Sequence, residues 1–217
     1  MIVTIDGPAG AGKSSISRQL AEALGFAFLD TGAMYRAVAL LGLRAEIDWA
    51  DTDRLVELTQ TATINLTGSA VFLNGEDVTQ DIRTQRVTQA TRYAANNVGV
   101  REQLVKMQRA IAAGQDIVTE GRDQGTLVFP KAECKIYLTA SPEERARRRV
   151  SDLAARGESV EFQQILEQQS TRDEEDQRRE VGPLRKAANA IEVLTDGMTP
   201  EEVLQKLIKI VGRCQHA

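Results

Sequence analysis

A chain of 217 residues can bury one sizeable core, and 42% hydrophobic with 27% charged residues is ordinary for a globular protein. A net charge of −4 and an aromatic content of 4% argue against a nucleic-acid surface or an aromatic groove for single strands. The two cysteines, Cys134 and Cys214, form no C-x-x-C pair and the one histidine is His216, so a zinc cluster, a disulfide framework and a histidine-based triad are set aside.

Residues 2–5 are an apolar run that reads as a strand. Directly after it come Gly7, Pro8, Ala9, Gly10, Ala11, Gly12, Lys13 and Ser14, a full match to G-x-x-x-x-G-K-[ST]. Ile16, Leu20 and Leu24 then fall on one face of a helix. Strand, loop and helix in this order form a P-loop. Its glycines let backbone N–H groups converge on phosphate oxygens, and the helix start adds partial positive charge. Lys13 is placed to reach the β- and γ-phosphates, and the Ser14 hydroxyl to ligate Mg²⁺, with Ser15 completing the turn into the helix.

Residues 26–30 read as a second strand after Gly25 ends the first helix, and Thr31-Gly32 opens a helix to about Leu43. A further helix covers about 51–61. Residues 63–66, a Thr67-Gly68-Ser69 turn and residues 71–73 before Asn74-Gly75 predict a small β-meander, outside the strand–helix rhythm. Residues 85–113 return to helix with a break near Val98-Gly99. Residues 116–120 and 134–138 are apolar enough for strands covered on both faces. Ser141-Pro142-Glu143-Glu144 is read as a capping box opening a helix closed by Gly157, and Phe162, Ile165 and Leu166 mark the next. A last strand over 190–194 precedes a helix capped by Thr199-Pro200-Glu201-Glu202. The alternation predicts a doubly wound α/β fold, a parallel sheet flanked by helices, with ligands at the carboxyl ends of the strands.

Four charged clusters fall at strand ends or where lobes attach. Asp30-Thr31-Gly32-Ala33-Met34-Tyr35-Arg36 reads equally as an N-cap with its helix or as part of a site. Glu120-Gly121-Arg122-Asp123-Gln124-Gly125-Thr126 sets two carboxylates around an arginine between glycines, which favours a functional loop over a simple turn. Arg145 and Arg149, four apart on one helix face, are candidates for the ATP phosphates, the alternative being a solvated charged face. Arg172, Asp176 and Arg179 recur at helical spacing, where bidentate arginine suits phosphoryl oxygens.

With these clusters the chain resembles, essentially end to end, the bacterial cytidylate kinase family of nucleoside monophosphate kinases. The resemblance is carried by residues 5–13, by 29–36, by Gly75-Glu76-Asp77-Val78-Thr79 with Ile82-Arg83-Thr84, and by 120–126. It implies transfer of the ATP γ-phosphoryl group to CMP or dCMP. It assigns the monophosphate and sugar to Thr31, Tyr35, Arg36, Arg122, Arg172, Asp176 and Arg179, and cytosine to Arg101 and Asp123. A carboxylate accepting from the cytosine amino group would be repelled by the carbonyl of uracil. Lys13, Arg122, Arg172 and Arg179 are the expected catalytic residues, with Mg²⁺ held by Ser14 and, through water, Glu120. The family often carries a small hydroxyl residue where this chain has Arg92, and many relatives have Asp in place of Glu120.

The expected organisation is a core of residues 1–30, 114–154 and 183–217, a monophosphate-binding lobe over 31–113 containing the small antiparallel sheet, and a helical lid over 155–182. Expected partners are ATP and CMP or dCMP alone, with no nucleic acid and no membrane, in a cytoplasmic monomer. Rival readings are another small P-loop kinase with a UMP or AMP acceptor and a nucleotide-sensing protein without turnover. A GTPase switch would need an N-K-x-D motif, which the sequence lacks.

Overall fold

Strand β1 (Ile2–Asp6) has no polar side chain to spare for solvent. Val3 and Ile5 are fully buried, as expected of a strand covered on both faces. It lies at the centre of a five-stranded sheet of order β2–β6–β1–β7–β8, the others being β2 (Ala27–Asp30), β6 (Ile117–Gly121), β7 (Cys134–Thr139) and β8 (Ile191–Leu194). The β1–β6, β1–β7 and β7–β8 pairings are all parallel. Asp6 stands level with Gly121 on one side and Tyr137 on the other, so three strands deliver their carboxyl ends together. The chain passes from β1 to β2 on one side and later from β6 across β1 to β7 on the other, which opens the crevice of a doubly wound sheet at the end of β1.

The computed structural model describes residues 1–155 and 157–215. His216 lies outside them, as does Arg156 of the expected lid. The chain divides into two units, residues 1–28 with 114–217, and residues 29–113. In the first, helices α1 (Lys13–Leu24) and α8 (Pro200–Cys214) pack Ile16, Leu20, Leu207 and Val211 onto Val3, Ile5, Ile136 and Leu138. Gly25, with φ +69, ends α1 in the left-handed region and returns its N–H to the Ala21 and Glu22 carbonyls. Helices α6 (Pro142–Ala154) and α7 (Phe162–Arg178) share a smaller cluster of Ala146, Leu153 and Ile165. Among the described residues no helix is long and apolar enough to cross a membrane.

The second unit holds α2 (Thr31–Arg44), α3 (Thr52–Thr61), α4 (Gln85–Asn96), α5 (Val98–Ala112) and an antiparallel sheet β3 (Ile64–Thr67), β4 (Ala70–Leu73), β5 (Glu76–Asp77). Asp30, Asp51 and Asn97 cap their helices by accepting from the N–H groups of Ala33, Arg54 and Val100. The expected break near Val98-Gly99 falls at Asn97, whose side chain caps α5 in this way.

One local expectation is corrected. Thr199 and Glu202 form a complete capping box, but at Ser141 only half forms. The Ser141 N–H donates to Asp196 at 2.8 Å, and Glu144 turns to accept from Arg147 and Arg148 instead. A side chain elsewhere in the fold out-competed the local partner. Helix α6 also ends at Ala154, three residues before the expected Gly157.

Candidate active site

The loop between β1 and α1 is held by its own residues. Lys13 is 5% exposed and its Nζ donates to the Pro8 carbonyl at 2.7 Å. Burial, then the charges of Arg122 and Arg172, press its pKa down from 10.5 to about 7, against the pull of Glu120 and Asp6. The Ser14 hydroxyl donates to Glu120 Oε1 at 2.7 Å, which joins the first turn of α1 to the end of β6. Gly7 has a φ of +153, and a Cβ there would lie 2.0 Å from the Leu138 carbonyl oxygen on β7. This glycine is required by strand packing before any phosphate arrives.

The loop after β6 continues into a π turn over Gln124–Val128. Its start is fixed by Asp6, whose two oxygens accept the N–H groups of Gln124 at 2.8 Å and Gly125 at 2.7 Å. The Gln124 side chain accepts from the Thr119 hydroxyl at 2.9 Å, and Asp123 is buried. Burial lifts the Asp6 pKa from 3.8 to about 6 despite those two N–H groups, with Asp123 adding to the rise.

Helix α7 supplies the acidic counterpart. Asp176 accepts from Arg122 Nε at 2.7 Å and pairs also with Arg179. Burial disfavours the charged carboxylate, but Arg122 and Arg179 outweigh it and hold its pKa below 3.8. Burial likewise opposes charge on Arg122, and Asp176, Glu120 and Asp173 reverse that, raising its pKa. Arg172 lies on the exposed flank of α7 and Arg149 on that of α6. Arg145, by contrast, is 5% exposed and donates to the Ala9 and Ala140 carbonyls and to Asp173.

Within the second unit, Thr31 and Tyr35 are buried at the start of α2. Arg36 donates to the Ile82 carbonyl at 3.2 Å and the Thr88 hydroxyl at 2.7 Å. Arg101 stacks over the Tyr35 ring at 5.4 Å and donates to the Ala95 carbonyl. Arg92 lies over Tyr93, whose ring stacks on Trp49 at 4.6 Å, and the Thr91 hydroxyl donates to the Val87 carbonyl. The departure at position 92 thus extends an aromatic stack on the lobe.

The cytidylate kinase family model matches residues 3–213. The chain belongs to the cytidylate kinase family. A cytidylate kinase of Rhodopirellula baltica is 52% identical over 217 residues, covering 100% of this chain and 95% of that protein. One from Pelotomaculum thermopropionicum is 50% identical over 215 residues, covering 97% and 95%. The fold is similar to that of a shikimate kinase from Bacteroides thetaiotaomicron, with a TM-score of 0.50 at 13% identity and 98% coverage of each chain.

For a cytidylate kinase, the first unit alone brings together Lys13, Ser14, Glu120, Arg122, Asp123, Asp176 and Arg179, and the second gathers Thr31, Tyr35, Arg36 and Arg101. Sequence reasoning did not single out Asp6, Gln169 or Asp173. Their signal was available in part: Ile165, Gln169, Asp173 and Asp176 fall at helical spacing and are the buried face of α7.

Proposed function

We propose that this member of the family transfers the γ-phosphoryl group of ATP to CMP and dCMP, with ATP on residues 7–15 and the acceptor on Thr31, Tyr35, Arg36, Arg101, Arg122, Asp123, Arg172, Asp176 and Arg179. The observation that carries the reading is the position of Arg122 and Asp123. They follow β6, the neighbour of the strand that delivers the P-loop, at the carboxyl edge of the sheet. An acceptor phosphate and its cytosine are read there, beside the donor.

The acceptor phosphate is already anionic near neutral pH, so its attacking oxygen needs no strong base. Catalysis is positioning and charge neutralisation by Lys13, Arg122, Arg172 and Arg179 around the moving group. Ser14 and Glu120 offer two hard oxygens 2.7 Å apart with no sulfur or imidazole, a donor set that fits Mg²⁺. When bound, the ion neutralises phosphate charge and orients the triphosphate. Residues 155–182 serve as a lid that holds Arg172 and Arg179 at the donor and keeps water from the γ-phosphate. Glu120 holds water on the metal side, and Arg149 faces the donor phosphates from α6. The protein works on small molecules as a monomer in the cytoplasm.

The test is ATP-dependent phosphorylation of CMP, dCMP, UMP and AMP by the wild type and by Asp123→Ala. Turnover of the two cytidine nucleotides well above the others is expected, with a narrowed CMP-over-UMP preference in the variant. Equal turnover of all four, or an unchanged ratio in the variant, refutes the acceptor assignment.

A further inference from the structure

The donor loop carries glycines at 7, 10 and 12, all with positive φ, so its backbone has little stiffness of its own. Something outside the loop must fix its shape. The peptide groups of Ala9 show what does. Its N–H donates to Asp173 Oδ1 at 3.2 Å, and its carbonyl accepts from Arg145 Nη1 at 2.9 Å. The two side chains close the ring themselves, Arg145 Nη1 donating to Asp173 Oδ2 at 2.5 Å. Arg145 is 5% exposed and Asp173 8% exposed.

The clasp is anchored on both helices. Arg145 Nε donates to the Ala140 carbonyl at 3.1 Å, at the start of α6. Gln169, one turn before Asp173, donates to the Arg145 carbonyl at 3.3 Å, and its amide fills the space a Cβ on Gly10 would need, 2.7 Å away. Three residues further along α7, Asp176 takes Arg122 and Arg179. One helix face therefore holds the donor loop at one point and the arginines of the acceptor side at the next.

We propose that Asp173 and Arg145 are positioning residues that fix the P-loop at the Ala9 peptide in the shape that receives the donor triphosphate. This rests on residues 7–15 being the donor site. The clasp engages Ala9, ahead of the amides at the start of α1, and so leaves that helix terminus to the phosphate. A staple that served stability alone has no need of charge, because a well-packed apolar pair commonly replaces a buried ion pair without loss. What the ion pair does that an apolar pair cannot is take a backbone N–H and the following carbonyl at once.

The test is the double variant Arg145→Met/Asp173→Leu, which removes the pair without stranding a charge, with Asp173→Asn beside it. ATP binding is measured by calorimetry without an acceptor, together with the KM for CMP and hydrogen exchange at the Ala9 amide. The expected result is a double variant melting near the wild type, with ATP bound about tenfold more weakly and the CMP KM within about twofold. Unchanged ATP affinity, or equal losses for both nucleotides, overturns the proposal. Should the double variant fail to fold, Asp173→Asn decides the matter. Faster Ala9 exchange with a selective loss of ATP affinity supports it, and unaltered exchange or a non-selective loss refutes it. A wild type that binds ATP but leaves CMP untouched would sink the acceptor assignment while this test stood.

Discussion

Gly7→Ala separates what the P-loop glycines do for packing from what they do for backbone conformation. An added Cβ would lie 2.0 Å from the Leu138 carbonyl oxygen and 3.0 Å from its carbon, both backbone atoms of the adjacent strand. No side chain can swing away to make room, so β1 and β7 must part. Overpacking of this kind costs about 1–3 kcal/mol or more, and the unfavourable φ of +153 adds about 1–3 kcal/mol. A midpoint of about 4 kcal/mol lowers Tm by roughly 8–16 °C in a chain of this size. Gly12→Ala is the control. Its φ is +82, but nothing lies within 4 Å of an added Cβ. The left-handed penalty of about 1–2 kcal/mol is partly offset by about 0.4–1 kcal/mol from the stiffer unfolded chain, so the loss is about 1 kcal/mol. Thermal unfolding of the two variants by circular dichroism compares them directly. A Gly7→Ala protein that melts no lower than Gly12→Ala refutes the claim that Gly7 is demanded by β7.

Three further outcomes are expected. Arg179→Ala lowers kcat by about a hundredfold or more, the order of arginine-finger losses, and a raised KM for ATP alone in steady-state kinetics counts against that role. At pH 8 the Lys13 amine, with its pKa near 7, is about one-tenth protonated, and the triphosphate restores its charge on binding. Calorimetry in buffers of different ionisation enthalpy then reads uptake of close to one proton per ATP, and buffer-independent heats refute it. Asp6 binds its proton more tightly folded than unfolded, about 6 against 3.8, so its contribution to stability falls as pH rises through that window, by about 3 kcal/mol in all. Urea unfolding at pH 4 and pH 6.5 shows the difference between wild type and Asp6→Asn, and parallel pH profiles would sink the assignment.

What was legible in the sequence was what neighbours in the chain decide. The strand at 2–5, the P-loop and the Ile16–Leu20–Leu24 face form a local unit, and the structure places them as read. The meander over 63–73 with its following Asn74-Gly75 was legible because Gly68 and Asn74-Gly75 mark its turns, each with positive φ. Long-range competition was not legible. Ser141 looks like a capping box because its first turn is all a local pattern sees, yet Asp196 takes its N–H. The Ala9 clasp joins residues 136 and 164 positions apart, and no spacing rule connects them. Arg172, Asp176 and Arg179 were read together as substrate contacts at helical spacing, while Asp173 between them was given no role. In the fold Asp173 and Asp176 are the buried members.

On the proposed assignment those carboxylates explain how a chain with a net charge of −4 handles two polyanions. Arginines gathered for phosphate repel one another and lower the Lys13 pKa in the same space, and an unpaired buried cation is costly. Asp176 relieves this by holding Arg122 and Arg179 at once from the buried face of α7. The same bonds set both guanidinium groups in place before any nucleotide is present, so little side-chain entropy is left to lose when phosphate arrives. For Lys13 the pull of Glu120 and Asp6 only partly offsets its burial. It rests on the Pro8 carbonyl with its charge weakened by burial. On the proposed assignment the arginines meet the substrate already charged and aimed, whereas the lysine gains its full charge from the triphosphate itself. The P-loop is incomplete as an anion site until the anion enters it.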